Sequence, residues 1–347
     1  MRILHAPLNV ANDPGALVSG LRELGCDAAL ATTQTLFYDE GPDVDLSFPQ
    51  KNCVSRQVSK ISFCIREMRK YDFIHFHTGH SILDYGSGIF ALLDARLSKM
   101  RGQGIAVSFH GSEVRDLQPG GGRLRHLHTH DVTDKRRRRL EYFTRVADLM
   151  YVSTPDLMSS VPQACLLPQS VALLNNPTGV STVDFFSDER PLRIVHMPSS
   201  RDTKGTSVVL ESIETAQQRG LPVVLDLVEN TQHSQALKRL AAGDLLIDQI
   251  LLGWYGVASI EAAALGVPSV TYIDSDFIVK GKLEMPPFIS AQTTEDLIAF
   301  FARVIESPRL LAEYASAAQE YCLRYHTPKT NASRLIADYR TSLGLGS

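Results

Sequence analysis

The sequence predicts an α/β protein of two doubly wound domains facing each other across a cleft, each domain a parallel sheet wrapped by helices. Three observations carry that prediction. The chain has 347 residues, more than one hydrophobic core sustains, so two domains of about 150 residues each are expected. Short apolar runs alternate with longer segments of helical period, and the strand-like runs end in small or polar residues, as in a parallel sheet covered on both faces. The alternation pauses in a stretch containing Asn175-Asn176-Pro177 and Asp188-Glu189-Arg190-Pro191, then starts again.

In the first half, apolar runs predict strands at 2–6, 27–32, 72–77, 105–110 and 149–152. Helices fit between them at 14–24, 55–70, 88–99 and around Arg138. Asp13 before Pro14 reads as an N-cap followed by the first helical residue, and Thr154-Pro155-Asp156-Leu157 as another cap. After the pause, strands are expected at 192–196, 223–228, 245–252 and 269–273, with helices at 205–217, 235–242 and 257–265. A closing helix over 328–345 is expected to pack back on the first domain. The domains then run 1–180 and 181–327, with 328–347 as the returning segment. Ligands of such sheets sit beyond the carboxyl ends of the strands, so the cleft between the domains is the expected site.

Bulk composition excludes several classes. A formal charge of −3 supplies no overall basic field, so nucleic acid is not an expected partner. The run Lys135-Arg136-Arg137-Arg138-Arg139, followed by Leu140, Phe143 and Val146, reads as the solvated face of a helix. An acidic acceptor or peripheral contact with a membrane surface is its alternative. Five scattered cysteines without a Cys-x-x-Cys pair argue against a disulfide framework or a zinc knuckle. His126, His128 and His130 alternate in a polar segment and make no ligand set by themselves, so no metal is expected. The first residues pass directly into a strand-like run, with no apolar leader and no stretch of membrane-spanning length, which makes a cytoplasmic location the default.

The chemistry concentrates in four pieces. In 253–268, an apolar run turns through Gly253-Trp254-Tyr255-Gly256-Val257 into a helix closed by Gly266. Gly256 permits close backbone approach, and the helix start offers free N–H groups and partial positive charge to an anion such as a diphosphate. Glu261, about one turn further in, suits ribose hydroxyls better than phosphate. The same spacing also describes a plain strand-turn-helix with Glu261 on its wet face. The second piece, 196–206, places Arg201 and Lys204 beside another helix start, where cations stabilise a departing diphosphate. The third is the strand end Phe109-His110-Gly111-Ser112-Glu113. The fourth is the first loop, with Asn12 and Gly15; it lacks the Gly-x-Gly-x-x-Gly spacing of a dinucleotide site, so NAD is not inferred.

Taken together, these pieces resemble the retaining family-four glycosyltransferases of the GT-B fold, which is built of two Rossmann-like domains. That family carries Glu-x7-Glu followed by Ala-x-Ala-x-Gly-x-Pro, and Glu261-Ala262-Ala263-Ala264-Leu265-Gly266-Val267-Pro268 matches its second half. The resemblance implies that Glu261 binds the ribose of the donor, that Tyr255-Gly256 lies against the phosphates and that Lys204 grips phosphate. It places His110 toward the donor sugar, and Asn12 and Gly15 near the phosphates or the acceptor. The sequence departs from the family at three positions, the first being Glu113 where the family more commonly has Asp after His-Gly-Ser. The usual arginine falls at Ser199, with Arg201 as its replacement, and the first Glu, which touches the transferred sugar, falls at Gly253, leaving Asp248 or Trp254 as substitutes. The implied reaction moves a sugar from a nucleoside diphosphate sugar to an unidentified hydroxyl acceptor, a glycan or a small molecule, with retention and without metal or cofactor. A sugar-nucleotide epimerase of the same architecture is one alternative, and a nucleotide-binding subunit without activity is another.

Overall fold

The computed structural model of the protein describes residues 1–33, 41–48, 52–83, 92–115, 130–179 and 190–345. It divides into two compact units, Met1–Ser170 together with Pro328–Ser347, and Val171–Thr327. The first unit ends at Ser170 and not at 180. Val171 donates its N–H to the His326 carbonyl at 3.0 Å and Thr178 donates to Ala264 at 2.8 Å, while Leu174 is buried with Trp254 and Tyr255. The segment after Ser170 therefore satisfies its backbone and buries its apolar side chains in the second unit. Most of the Pro- and Gly-bearing break used to place the boundary, 180–189, lies outside the described residues.

The first unit is a seven-stranded sheet in the order β3-β2-β1-β4-β5-β6-β7. The strands are β1 (Arg2–Ala6), β2 (Asp27–Thr32), β3 (Val44–Asp45), β4 (Phe73–His77), β5 (Gly104–Phe109), β6 (Leu149–Val152) and β7 (Cys165–Leu166). All pairings are parallel. The helices are α1 (Asp13–Glu23), α2 (Cys53–Arg66), α3 (Leu93–Met100) and α4 (His130–Val146). Strand periodicity sorts the core: Ile74 and Phe76 join one apolar cluster with Ile105, Val107 and Phe143, and Phe73 joins another on the opposite face with Leu17, Leu21 and Tyr151. The final helix, α12 (Pro328–Ser342), completes that second cluster with Leu335 and Tyr339.

The second unit is a parallel five-stranded sheet, β12-β11-β10-β8-β9. Its strands are β8 (Leu192–His196), β9 (Val223–Leu227), β10 (Leu245–Ile247), β11 (Ser269–Thr271) and β12 (Ile289–Ser290). Its helices are α5 (Arg201–Lys204), α6 (Thr206–Gln218), α7 (His233–Ala241), α8 (Val257–Ala264), α9 (Ser275–Gly281), α10 (Thr294–Glu306) and α11 (Arg309–Tyr325). The strand expected over 245–252 stops at Ile247. Ile250 is buried in the core as part of a loop, so its apolar character reflects packing, not sheet pairing.

In both sheets the order reverses at one place, between β1 and β4 in the first and between β8 and β10 in the second. The crevice beyond the carboxyl ends of the strands at such a switch point is where open α/β sheets bind ligands.

Candidate functional site

At the switch point of the second sheet, the loops after β8 and β10 meet the start of α8. Lys204 donates to Asp248 Oδ1 at 2.6 Å and to Gln249 Oε1 at 2.8 Å. The other oxygen of Asp248 accepts from the Gly256 amide at 2.7 Å and the Ser259 hydroxyl at 2.9 Å. Both side chains are largely withdrawn from solvent, 13% exposed for Lys204 and 1% for Asp248. Burial pushes the Asp248 carboxyl up, but the Lys204 ammonium and the hydrogen bonds from Lys204, Ser259 and Gly256 outweigh it and hold the group below the usual carboxylate range. Gly256 is required by this convergence: a Cβ there would lie 2.8 Å from Asp248 Oδ2 and 2.9 Å from Lys204 Nζ.

The other expected donor-binding residues are placed as follows. Glu261 is buried and meets His233, at the start of α7, at 2.6 Å. Arg201 stands apart from Lys204, with its guanidinium paired to Glu229 at 2.8 and 2.5 Å. The Trp254 and Tyr255 rings are buried, and Tyr255 meets His326 at 2.8 Å and packs on Phe288 and Tyr321. The turn therefore keeps its rings in the core and brings backbone to the head of α8, where the Gly256 amide is taken by Asp248. Gly253 has φ of 77°, and a Cβ there would lie 2.9 Å from Phe277 and 3.0 Å from Asp274. The residue where the resemblance expects a sugar-touching Glu is thus built for glycine.

One strand from the switch point of the first sheet, His110 follows β5. Its Nε2 is 3.1 Å from His77 Nδ1, and its Nδ1 is 3.7 Å from Asp13 Oδ2, too long for a hydrogen bond. Its amide donates to Glu113. Asp13 is not the N-cap of α1: Asn12 holds that position in left-handed geometry without a side-chain cap bond. The Asp13 carboxylate instead accepts the Ser170 amide at 2.6 Å; burial raises its pKa, opposed by His110 and Ser170. In the first loop Asn9 ties the expected residues together, donating to Asn12 Oδ1 at 2.8 Å and accepting from the Gly15 amide at 3.1 Å.

Behind His110 lies a cluster that the sequence reading missed. His5, His75 and His77 are fully buried, and ring nitrogens of the three lie within 4.8 Å of one another. Apart from His5 Nε2, the ring nitrogens of the three are engaged by other protein groups. His75 meets Tyr339 Oη at 2.5 Å and Ser108 Oγ at 2.7 Å, and His5 Nδ1 meets His77 Nε2 at 3.0 Å. Burial holds the His5 imidazole down to about 3, and it depresses His75 and His77 as well, helped by their neighbouring imidazoles. Of the alternating histidines, His126 and His128 lie outside the described residues. In the basic run, Arg137 faces Asp134 at 3.8 Å with both side chains exposed. No helix among the described residues is long and apolar enough to cross a membrane.

No family model matches the sequence, and no curated protein matches it. Solved structures do. Sucrose-phosphate synthase from Thermosynechococcus elongatus is 12% identical, with a TM-score of 0.65 over 99% of each chain. HepE from Anabaena, in complex with UDP and glucose, is 12% identical with a TM-score of 0.61 over 97% of this chain and 98% of that one. UDP-GlcNAc 2-epimerase from Neisseria meningitidis, bound to UDP-GlcNAc, is 12% identical with a TM-score of 0.54 over 98% and 100%. At these identities the likeness establishes the fold, which is GT-B.

Proposed function

We propose that the protein is a glycosyltransferase that moves a sugar from a nucleoside diphosphate sugar to an acceptor hydroxyl, with retention and without a metal. One observation carries the reading. At the switch point of the second sheet, a largely buried ammonium, Lys204, and the amide that heads α8 converge on one place. Those are the donors a diphosphate takes: a cation, a helix start and a glycine without a side chain to obstruct approach. Asp248 fills that role internally and holds the constellation in place. Two of the three Lys204 donors are used by Asp248 and Gln249, leaving one for a phosphate oxygen.

In this reading Lys204 and the α8 start stabilise charge that grows on the leaving diphosphate, as preorganised donors that need no solvent rearrangement. Glu261 accepts from the ribose hydroxyls and His233 steadies it. Arg201, engaged by Glu229, reaches phosphate only by exchanging that partner. The sugar-binding contact supplied by Glu in the resembling family is replaced at Gly253 by backbone, so selection of the sugar falls to other groups.

The likeness to UDP-GlcNAc 2-epimerase favours a second reading, epimerisation of the donor's own sugar. One experiment separates the two. The protein is incubated with a panel of nucleoside diphosphate sugars and hydroxyl acceptors, with and without EDTA, and the products are resolved. Acceptor-dependent release of nucleoside diphosphate that persists in EDTA supports transfer. An epimerised sugar nucleotide supports the alternative, and no turnover with any donor refutes both.

A further inference from the structure

The candidate site in the first unit does not end at His110. Three imidazoles, His110, His77 and His5, lie in a row from the end of β5 through β4 to β1, with nitrogens 3.1 and 3.0 Å apart. Their ring centres are 5.4 and 5.2 Å apart and their planes differ by 29° and 27°. Because the nitrogens are so much closer than the centres, the rings meet edge to edge in nearly a common plane, and a lone pair of one faces an N–H of the next. His75 stands beside this row with both nitrogens engaged by hydroxyls. The two outer nitrogens, His5 Nε2 and His110 Nδ1, are buried without a hydrogen-bond partner among the described residues.

A neutral imidazole carries one N–H and one lone pair. With one proton on each ring, the two hydrogen bonds admit only two arrangements: all three protonated at Nδ1, or all three at Nε2. Any mixed arrangement sets two N–H groups or two lone pairs against each other in a buried place, where an unsatisfied group is costly. What breaks the tie is the end of the row. A carboxylate oxygen of Asp13 lies 3.7 Å from His110 Nδ1, and among the described residues no charged group acts on His5, so a proton at the His110 end is favoured.

We infer that Asp13, His110, His77 and His5 form a tautomerically coupled relay, in which the Asp13 carboxylate fixes all three imidazoles as Nδ1–H. His77 and His5 are then positioning residues for His110: they lock its ring plane and keep its Nε2 an acceptor. The inference rests on the first unit alone and does not depend on the reaction proposed above.

The test is the tautomer of each ring, read by long-range nitrogen–proton correlation on the intact protein labelled with 15N-histidine, in wild type and in Asp13→Asn. In wild type all three rings should show a protonated Nδ1 and a lone pair at Nε2. In Asp13→Asn the amide oxygen serves the Ser170 N–H and the NH2 group faces His110. The chain should then reverse, with the two nitrogen signals exchanging on His110, His77 and, two residues further along the row, His5. Reversal at His110 with His5 unchanged overturns the coupling, as does a wild type with mixed tautomers. His77→Phe, which keeps a planar ring, serves as the interrupting control: with it, Asp13→Asn should no longer alter His5. Thermal melts of each variant confirm folding, and a single variant that melts below the recording temperature leaves the wild-type tautomers as a decisive reading. Metal analysis of the purified protein adds a separate criterion, because stoichiometric zinc on His5, His75 and His77 would break these hydrogen bonds and overturn the relay.

Discussion

Replacing Lys204 by Met is the substitution with the largest expected effect, and stability is the quantity to read first. Lys204 is 13% exposed and its partner Asp248 1%, so removing the ammonium leaves a carboxylate inside the protein held by the Gly256 amide and the Ser259 hydroxyl. Breaking a buried ion pair in this way costs about 3–5 kcal/mol, and for a domain of this size each kcal/mol is worth about 2–4 °C, so the melting temperature of the second unit should fall by roughly 6–20 °C. Asp248→Asn removes the other charge, and the double variant removes both. The double variant should lose much less than the sum of the single ones, because the penalty of each is the stranded partner. Calorimetric melts of all four proteins give the cycle, and nucleoside diphosphate titration into those that remain folded gives the binding term. A Lys204→Met protein that melts with wild type refutes the argument that this pair organises the site; additive losses refute the argument that the two charges compensate each other.

Further outcomes follow from other positions. Gly253→Glu, which restores the residue of the resembling family, should destabilise by about 1–3 kcal/mol because a side chain must adopt φ near 77° against Phe277 and Asp274; an unchanged melting temperature would show that the turn can relax. Glu261→Gln should weaken nucleoside diphosphate binding by about ten- to a hundredfold, the loss of one charge-assisted hydrogen bond to ribose, measured by isothermal titration. For His5 the folded imidazole is held down to about 3 while the unfolded one titrates near 6.5, so below pH 6.5 the unfolded chain binds the extra proton. The His5 contribution is intact above that value and is lost as pH falls through the window toward 3, about 2 kcal/mol of it by pH 5. His5→Gln should therefore show a shallower fall in stability between pH 7.5 and 5 than wild type, and equal slopes would contradict the assignment.

The elements legible in the sequence were those with a long enough period. β1, β2, β6 and β8 stand where apolar runs place them, as do α1, α6 and α8 to within a residue or two at their ends. β3, β7 and β12 have two residues each, too few for alternation to register. Ile250-Leu251-Leu252 extended a strand falsely, because loop residues that fill a core carry the same composition as strand residues. In the site, Lys204, Gly256 and Glu261 were readable because helix starts leave a local signature. Their partners were not: Asp248 comes from the loop after β10 and His233 from the start of α7, and which carboxylate meets which cation is decided by strand order. The histidine row was the least legible part. His75 and His77 do alternate at a strand end, and His110 ends the neighbouring strand, a hint of one shared face, but His5 is brought in only by the pairing of β1 with β4.

The first unit is assembled from two stretches of chain with Val171–Thr327 between them, and this has a consequence for synthesis. As the chain emerges, the seven strands and α1 to α4 are made first, yet the apolar face formed by Leu17, Leu21, Phe73 and Tyr151 has no cover until α12 brings Leu335 and Tyr339 to it. The second unit is contiguous and is free to fold as soon as it leaves the ribosome. The first must wait with an open flank for the whole of the second to be translated, and it is the unit that a holdase chaperone would guard. Docking of α12, and not completion of the sheet, is then the step that closes the core of the first unit.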